Sequence, residues 1–170
     1  IYIGTNSKGG SSKSEIYALD GNNGQQKWNF KTEGNMVDAN PVIGTDGTVY
    51  VSSSDSFMYA LDGQTGQKKW EFEANQWRSQ SAAIGSDGTI YYGNDDYSVY
   101  ALNGKTGAKL WEFPTGSPIW TSPALSPDGT LFIASGDGNL YAIKTDSQGL
   151  AKSPWPMSGQ NNQRTNRAIK

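Results

Sequence analysis

The sequence predicts an all-β fold built from a repeated unit of four short antiparallel strands. The first observation is a phrase, Tyr-Ala-Leu-Asp/Asn-Gly followed by glycine and tryptophan, that begins at Tyr17, Tyr59 and Tyr100. The second is its period: with a weaker fourth copy at Tyr141, the tyrosines are separated by 42, 41 and 41 residues. The third is composition, because 21 glycines and only 18% charged residues suit short strands joined by tight turns. A period in the forties with such strands indicates the blades of a β-propeller.

The second copy shows the elements of one blade in order. Its apolar stretches are residues 40–44, 48–51, 57–61 and 68–72, separated by polar turns. The stretch at 48–51 alternates with a period of two, as expected of a half-buried strand. Asp-Gly pairs at 46, 87 and 128 are hairpin signals, because glycine tolerates a positive φ and aspartate bonds the turn backbone. Four antiparallel strands joined in this way make one blade.

The strand count differs between the copies. Residues 1–4 align with 49–52, so the first copy has three strands, the second and third have four, and the fourth has at least three. The first residue lies inside a strand with no initiator Met, and we expect a processed or truncated product of a longer chain. The predicted blades cover about 1–33, 34–74, 75–115 and 116–152, followed by a capping tail at 153–170.

Composition excludes several function classes. The formal charge of −2 is spread over the chain, which argues against a nucleic-acid partner. No cysteine or histidine is present, which excludes disulfides, thiol catalysis, histidine-dependent triads and most zinc or copper sites. No apolar run approaches the roughly 18 residues that predict a membrane span.

The phrase resembles the tryptophan-docking motif of the pyrroloquinoline-quinone-type β-propeller superfamily, in its non-enzymatic branch. The resemblance implies that glycine and tryptophan of each copy lock neighbouring blades, and it implies export to the periplasm, the cell surface or the medium of a bacterium. Complete rings in the superfamily have seven or eight blades. The missing blades could belong to a parent protein, a second chain could close one ring as a homodimer, or the tail could supply the absent first strand. The docking residues implied are Gly24, Trp28, Gly66, Trp70, Gly107 and Trp111.

The same resemblance raises an alternative, a fragment of a quinone- and calcium-dependent alcohol or sugar dehydrogenase. Such enzymes would bring a catalytic aspartate, calcium ligands and in many cases a vicinal cysteine pair. This chain has no cysteine and no match to the cofactor-binding segments. We therefore predict no catalytic residue, no cofactor and no metal site. The hairpin residues Asp55, Asp95, Asp96 and Asp137 are interpreted as turn residues.

The copies differ most in the segments that precede each first strand. In a propeller the first strand starts near the axis, so these segments would line the mouth of the central funnel. Their aromatic, apolar and cationic side chains are typical of binding surfaces. We predict contact with a protein segment or a small polar ligand, with carbohydrate as a variant, and β-augmentation at open strand edges. The alternative is that Trp77 and Trp120 pack over neighbouring blades. The candidate residues are Met36, Asp38, Asn40, Trp77, Arg78, Gln80, Ile119, Trp120 and Thr121.

Overall fold

A computed structural model of the chain describes residues 1–6, 13–34, 37, 39–74 and 80–162. Within these ranges the elements are fourteen strands in four antiparallel sheets of three, four, four and three strands. The predicted all-β propeller architecture and the strand counts are confirmed. Blade 1 is β1 (Tyr2–Gly4), β2 (Glu15–Leu19) and β3 (Gln26–Lys31); blade 2 is β4 (Val42–Ile43), β5 (Val49–Ser52), β6 (Phe57–Leu61) and β7 (Lys68–Glu73); blade 3 is β8 (Ala83–Ile84), β9 (Thr89–Gly93), β10 (Ser98–Asn103) and β11 (Lys109–Pro114); blade 4 is β12 (Ala124–Leu125), β13 (Thr130–Ala134) and β14 (Leu140–Lys144).

The repeated phrase forms the last hairpin of each of the first three blades. In blade 2, Ala60 pairs with Trp70, and a bulge follows at Leu61. Asp62 closes the turn, because its carboxylate accepts hydrogen bonds from the amides of Gln64 and Thr65 at 3.0 and 2.9 Å. After this turn the chain runs back along the sheet as the last strand. The tryptophan of the repeated phrase lies on that strand, beside the next blade.

The core lies between blades, since the inner strands of blades 2 and 3 bury both of their faces against the neighbouring blades. One cluster joins Val42, Met58 and Trp70 of blade 2 to Ile84 and Tyr92 of blade 3. All of β9 and nearly all of β10 are buried, whereas β14 alternates between exposed and half-buried residues. Blade 3 is therefore the most enclosed of the four sheets.

The phrase tryptophans of the first two blades contact the phrase glycines of the following blades. The Trp28 indole N–H donates to the Gly63 carbonyl at 2.9 Å, and its ring lies so close to Gly66 that a Cβ there would be 2.7 Å away. Trp70 repeats both contacts with Gly104 and Gly107. We propose that these contacts are the joints between blades that the docking motif implies.

A tyrosine strengthens each of these contacts. The Tyr2 and Tyr50 hydroxyls donate at 3.0 Å to the same two glycine carbonyls that accept from the tryptophans. Each tyrosine also lies against its blade's tryptophan, with ring centroids 5.6 and 5.7 Å apart. Burial raises the pKa of Tyr50 to about 12, so its hydroxyl remains a donor at neutral pH.

Trp111 lies in a different environment. Blade 4 carries Thr145 and Gln148 at the positions of the two glycines, counted from its tyrosine. The Trp111 ring still lies 5.8 Å from that of Tyr91, but the Tyr91 hydroxyl now bonds the Ser147 side chain at 2.8 Å. The contact between blades 3 and 4 is thus built from side chains rather than from a glycine turn.

Candidate functional site

One end of the blades carries the non-repeating residues, and we call it the mouth face. It is formed by the turns at 53–56, 94–97 and 135–138 and by the connections between consecutive blades. Antiparallel pairing places these turns and connections at the same end of each sheet. After the turn between the second and third strands, the chain runs to the opposite end along the third strand and returns along the fourth before it enters the next blade. The glycine turns that receive the tryptophans lie at the opposite end.

Aspartates of the mouth-face turns bind a tyrosine four residues later. The hydroxyls of Tyr59, Tyr100 and Tyr141 donate to Asp55, Asp96 and Asp137 at 2.8, 2.6 and 2.7 Å. Burial and the neighbouring carboxylate raise the pKa of Tyr59 and of Tyr100 above the usual range. The hydrogen bond from Tyr141, joined by backbone amides, lowers the pKa of Asp137.

Two of these carboxylates also hold the preceding blade. Asp55 accepts the amides of Glu33 and Gly34 at 2.9 and 3.3 Å, and Asp137 accepts the amide of Gly116 at 2.8 Å. A carboxylate that accepts hydrogen bonds from its own blade and from the preceding blade links the two blades at the mouth face. The sequence indicated only that these aspartates shape their own turns. In the structure, Asp55 and Asp137 also bond the preceding blade.

Four of the predicted mouth residues, Met36, Asp38, Trp77 and Arg78, lie outside the described residues. Asn40 is exposed, and its backbone amide donates to the Ser81 hydroxyl at 2.8 Å. The Gln80 carbonyl accepts from the Ser52 hydroxyl at 3.4 Å.

The side chains of the connection between blades 3 and 4 differ strongly in their solvent exposure. Ile119 is 0% exposed and packs against Gly93 and Ile133, so its side chain belongs to the core. Trp120 is 60% exposed. Thr121 uses its hydroxyl to bond the carbonyl and amide of Ala134 at 3.0 and 3.1 Å. Of these three predicted residues, only Trp120 presents a large surface to a partner.

A second exposed aromatic residue, Tyr97, was not predicted. It is 51% exposed and has a φ of 68°, which is rare for a residue with a side chain. Its carbonyl accepts from the amide and hydroxyl of Thr115 at 2.7 and 2.9 Å, so the turn of Tyr97 is tied to the connection that carries Trp120. The signal available in the sequence was the alignment of Tyr97 with Ser56 and Gly138, both of which have a positive φ.

Residues 149–162, which we call the axial tail, lie along the first strands of three blades. Trp155 bridges to Ile43 of β4, and Leu150 and Met157 bridge to Gly85 and Ala83 in blade 3. Among the described strands only β2 pairs with β1, so the described part of the tail does not supply the absent first strand of blade 1. A cavity of about 410 Å³ lies there instead, between the chain start and the tail. Its walls include Tyr2, Asn40, Pro41, Ile43, Pro154 and Trp155.

The described residues contain neither a metal-binding cluster nor a membrane-spanning helix. In them, no three acidic side chains converge in a way that could hold a metal ion. The same ranges contain no helix of the length and apolarity needed to cross a membrane.

Comparisons with known proteins agree with this geometry. The family model described as outer membrane protein assembly factor BamB matches residues 6–149. Among solved structures, the crystal structure of BamB from Moraxella catarrhalis is similar, with 26% sequence identity and a TM-score of 0.70. The match covers 84% of this chain and 42% of that one, so the chain spans less than half the length of its relative. A comparison with curated proteins finds no match.

Proposed function

Because the chain belongs to the family of outer membrane protein assembly factor BamB, we propose that it is a non-catalytic binding module of the bacterial cell envelope. Its partner is a protein component of outer-membrane protein assembly, and its place is the periplasmic side of that membrane. The mouth face makes the contact, because it carries the residues that vary between otherwise equivalent blades.

The exposure of Trp120 carries this proposal. Trp28 and Trp70, which contact glycine turns, are only 7% and 8% exposed, whereas Trp120 is 60% exposed on the mouth face. Its ring lies near Gly136 of the blade 4 turn, which gives it a firm support. A supported, exposed tryptophan is the residue type that dominates binding energy in protein interfaces.

The bonding of the mouth-face carboxylates supports a binding role rather than catalysis. Asp55 and Asp137 each accept a tyrosine hydroxyl and at least one amide of the preceding blade. The lowered pKa of Asp137 is opposite to that of a general acid poised near neutral pH.

Binding to an assembly complex tests the proposal. We would immobilise the purified chain and measure its affinity for a Moraxella catarrhalis outer-membrane assembly complex depleted of its own BamB. We expect Trp120→Ser to weaken binding at least tenfold, since the hot-spot residues of interfaces cost more than about 1.4 kcal/mol when truncated. Leu110→Ser is the matched control, because Leu110 is also more than half exposed but lies near the start of β11, at the end opposite the mouth face.

The comparison of the two variants decides the outcome. Unchanged affinity for Trp120→Ser, or an equal loss for both variants, would contradict a mouth-face site. Failure of the wild-type chain to bind the complex at all would remove the proposed partner.

Carbohydrate is the second candidate ligand, favoured by the two exposed aromatic residues on connected segments of the mouth face, Tyr97 and Trp120. A flat aromatic ring can stack on a sugar as well as on a protein. Titration with soluble peptidoglycan oligosaccharides, followed by tryptophan fluorescence, separates the two candidates. A saturable change that Trp120→Ser removes would favour carbohydrate over protein.

A further inference from the structure

A cavity of about 250 Å³ lies between blades 2 and 3 at the end opposite the mouth face, and we call it the turn groove. Its walls include the turn between β4 and β5, with Thr45 and Asp46, and the turn between β8 and β9 of the next blade. Both Thr45 and Asp46 are exposed, so the groove is open to solvent. Its volume is slightly below that of typical small-molecule pockets, so an occupant would be only a few residues long.

The next groove along, between blades 3 and 4, shows the same turn with a segment bound to it. There the chain leaves β14 and crosses the turn before it enters the axial tail. The Ser147 hydroxyl donates to the Asp87 carboxylate at 2.6 Å. The Gln148 amide donates to the Ser86 hydroxyl at 3.0 Å, and the Ser86 amide donates to the Gly149 carbonyl at 2.8 Å. This turn thus binds a Ser-Gln-Gly segment through one side chain and two backbone groups.

The turn in blade 2 has the same backbone as the occupied turn in blade 3. Gly44 and Gly85, which precede the two turns, each donate an amide at 2.8 Å to the carbonyl of the threonine four residues later. Gly47 and Gly88 follow with φ of 80° and 84°. The two turns therefore present their amide, hydroxyl and carboxylate groups in the same arrangement.

In the turn groove these groups are open. Within the described ranges, no residue accepts a hydrogen bond from the Thr45 amide or pairs with the Thr45 hydroxyl. Asp46 bonds Thr48 and Lys69 of its own blade, and no group of blade 3 in the described part of the chain bonds its carboxylate. Blade 2 therefore has the donor, the hydroxyl and the carboxylate of the occupied turn without the segment that uses them.

The occupied groove defines the ligand. Ser147 is fully buried whereas Gln148 is exposed, so the first residue is selected and the middle residue is not. Gly149 has a φ of 82°, which favours glycine at the third position. In the turn groove Tyr50 already donates to a carbonyl of the next blade, so a ligand hydroxyl would bond Asp46 alone.

We propose that the turn groove is a docking site for a short Ser-x-Gly segment of a partner polypeptide. The segment binds as the chain's own Ser-Gln-Gly binds the neighbouring turn. Its serine hydroxyl donates to the Asp46 carboxylate, and its second amide donates to the Thr45 hydroxyl. Its glycine carbonyl accepts from the Thr45 amide. The site goes beyond the proposed function, because it lies at the other end of the blades from Trp120.

Amide NMR shifts of the isotope-labelled full chain, titrated with a capped Ser-Gln-Gly peptide, test the site. We expect saturable shifts of Thr45 and Asp46 at millimolar peptide. Ser86 and Asp87 are the internal control and should not shift, because their turn already holds Ser147. No saturable shift at Thr45 and Asp46, or equal shifts at both turns, would overturn the inference.

Matched probes and variants identify the contacts. An Ala-Gln-Gly peptide lacks the ligand hydroxyl, and Thr45→Val lacks the hydroxyl of the turn. Each change should raise the dissociation constant about fivefold, for one lost hydrogen bond. Thr45→Ser is the matched control, because it keeps the hydroxyl and should bind like the wild type.

Two results would overturn the inference in this second experiment. One is equal affinity of the wild type for the two peptides, a comparison that does not depend on the folding of any variant. The other is equal affinity of Thr45→Val and Thr45→Ser for Ser-Gln-Gly.

The outcome is separable from that of the proposed function. Peptide binding concerns the turn groove and uses no assembly complex, whereas the complex-binding assay depends on Trp120. Loss of the peptide result with retention of the Trp120 result removes only the turn groove site. The reverse pattern removes only the mouth-face site.

Discussion

Gly24 and Gly66 hold equivalent positions in consecutive blades and share a left-handed backbone, with φ of 73° and 74°. Only Gly66 has a ring against it, that of Trp28, whereas nothing lies within 4 Å of a Cβ at Gly24. The pair therefore separates the cost of backbone strain from the cost of crowding the joint between two blades.

We expect Gly66→Ala to destabilise the protein more than Gly24→Ala. Both variants pay about 1–2 kcal/mol for a side chain in the left-handed region. Gly66→Ala adds about 1–3 kcal/mol, because its methyl group would lie 2.7 Å from the Trp28 ring. Urea unfolding followed by circular dichroism measures both values. Equal losses would show that the Trp28 contact is not tight.

The role of a residue was predictable from the sequence where a turn requires a particular backbone geometry. It was not predictable where burial depends on other parts of the fold. The sequence placed the hairpin glycines correctly, because Gly47, Gly88 and Gly129 have the positive φ that such turns require. It did not separate Ile119 from Trp120, because their burial depends on the blade 4 turn that lies over the connection. It missed Tyr97 because tyrosine is a poor signal for a left-handed turn position.

At the scale of strands, the three hairpins that carry the repeated phrase are equivalent in sequence, but they contact different groups on the next blade. β3 and β7 present Trp28 and Trp70 to glycine carbonyls, while β11 presents Trp111 to a blade that lacks both glycines. The docking roles of all six phrase residues stay a prediction, and the strand β11 offers the contrast that tests it.

We expect Trp70→Phe to cost more stability than Trp111→Phe. Phenylalanine keeps most of the ring but loses the indole N–H, which donates to Gly104 from Trp70. In the described part of the chain no acceptor is paired with the Trp111 N–H, so the difference is about 1 kcal/mol for the lost hydrogen bond. Thermal and urea unfolding of both variants give the comparison. A larger loss for Trp111→Phe would mean that the glycine carbonyl contributes little.

Strand periodicity located the strand at 48–51, but the expectation that it is half-buried was wrong. β5 is buried at every position, because Val49 and Val51 pack into one core cluster and Tyr50 into another. The tail was harder to place. Prolines at 154 and 156 are unfavourable in a central strand, and the described tail forms only isolated bridges, but the prolines do not indicate which edge the tail meets. That choice depends on open backbone groups at Ile43 and Ile84, which are set by the register of other strands.

For the whole molecule, the end blades decide the assembly. Gly24 of blade 1 is a phrase glycine with no ring on it, and the phrase position of blade 4 holds Lys152 in place of tryptophan. In a ring of two chains, blade 4 of one copy would face blade 1 of the other without the indole contact that joins blades 1 to 2 and 2 to 3.

We therefore expect the chain to be a monomer of 18.4 kDa in solution. Sedimentation equilibrium at several concentrations measures the mass, with the Lys152→Trp variant as a probe of the missing contact. A wild-type species of twice that mass would contradict this expectation and support the two-chain ring.

The axial tail also sets the order in which the molecule can fold. Trp155 and Ile43 are 112 residues apart in sequence, so their bridge is among the most non-local contacts of the chain. Closing so long a loop is slow compared with forming the hairpins of a blade. During synthesis, β4 leaves the ribosome long before the segment that covers its inner edge. The edge is thus open early in the life of each molecule, before the tail covers it.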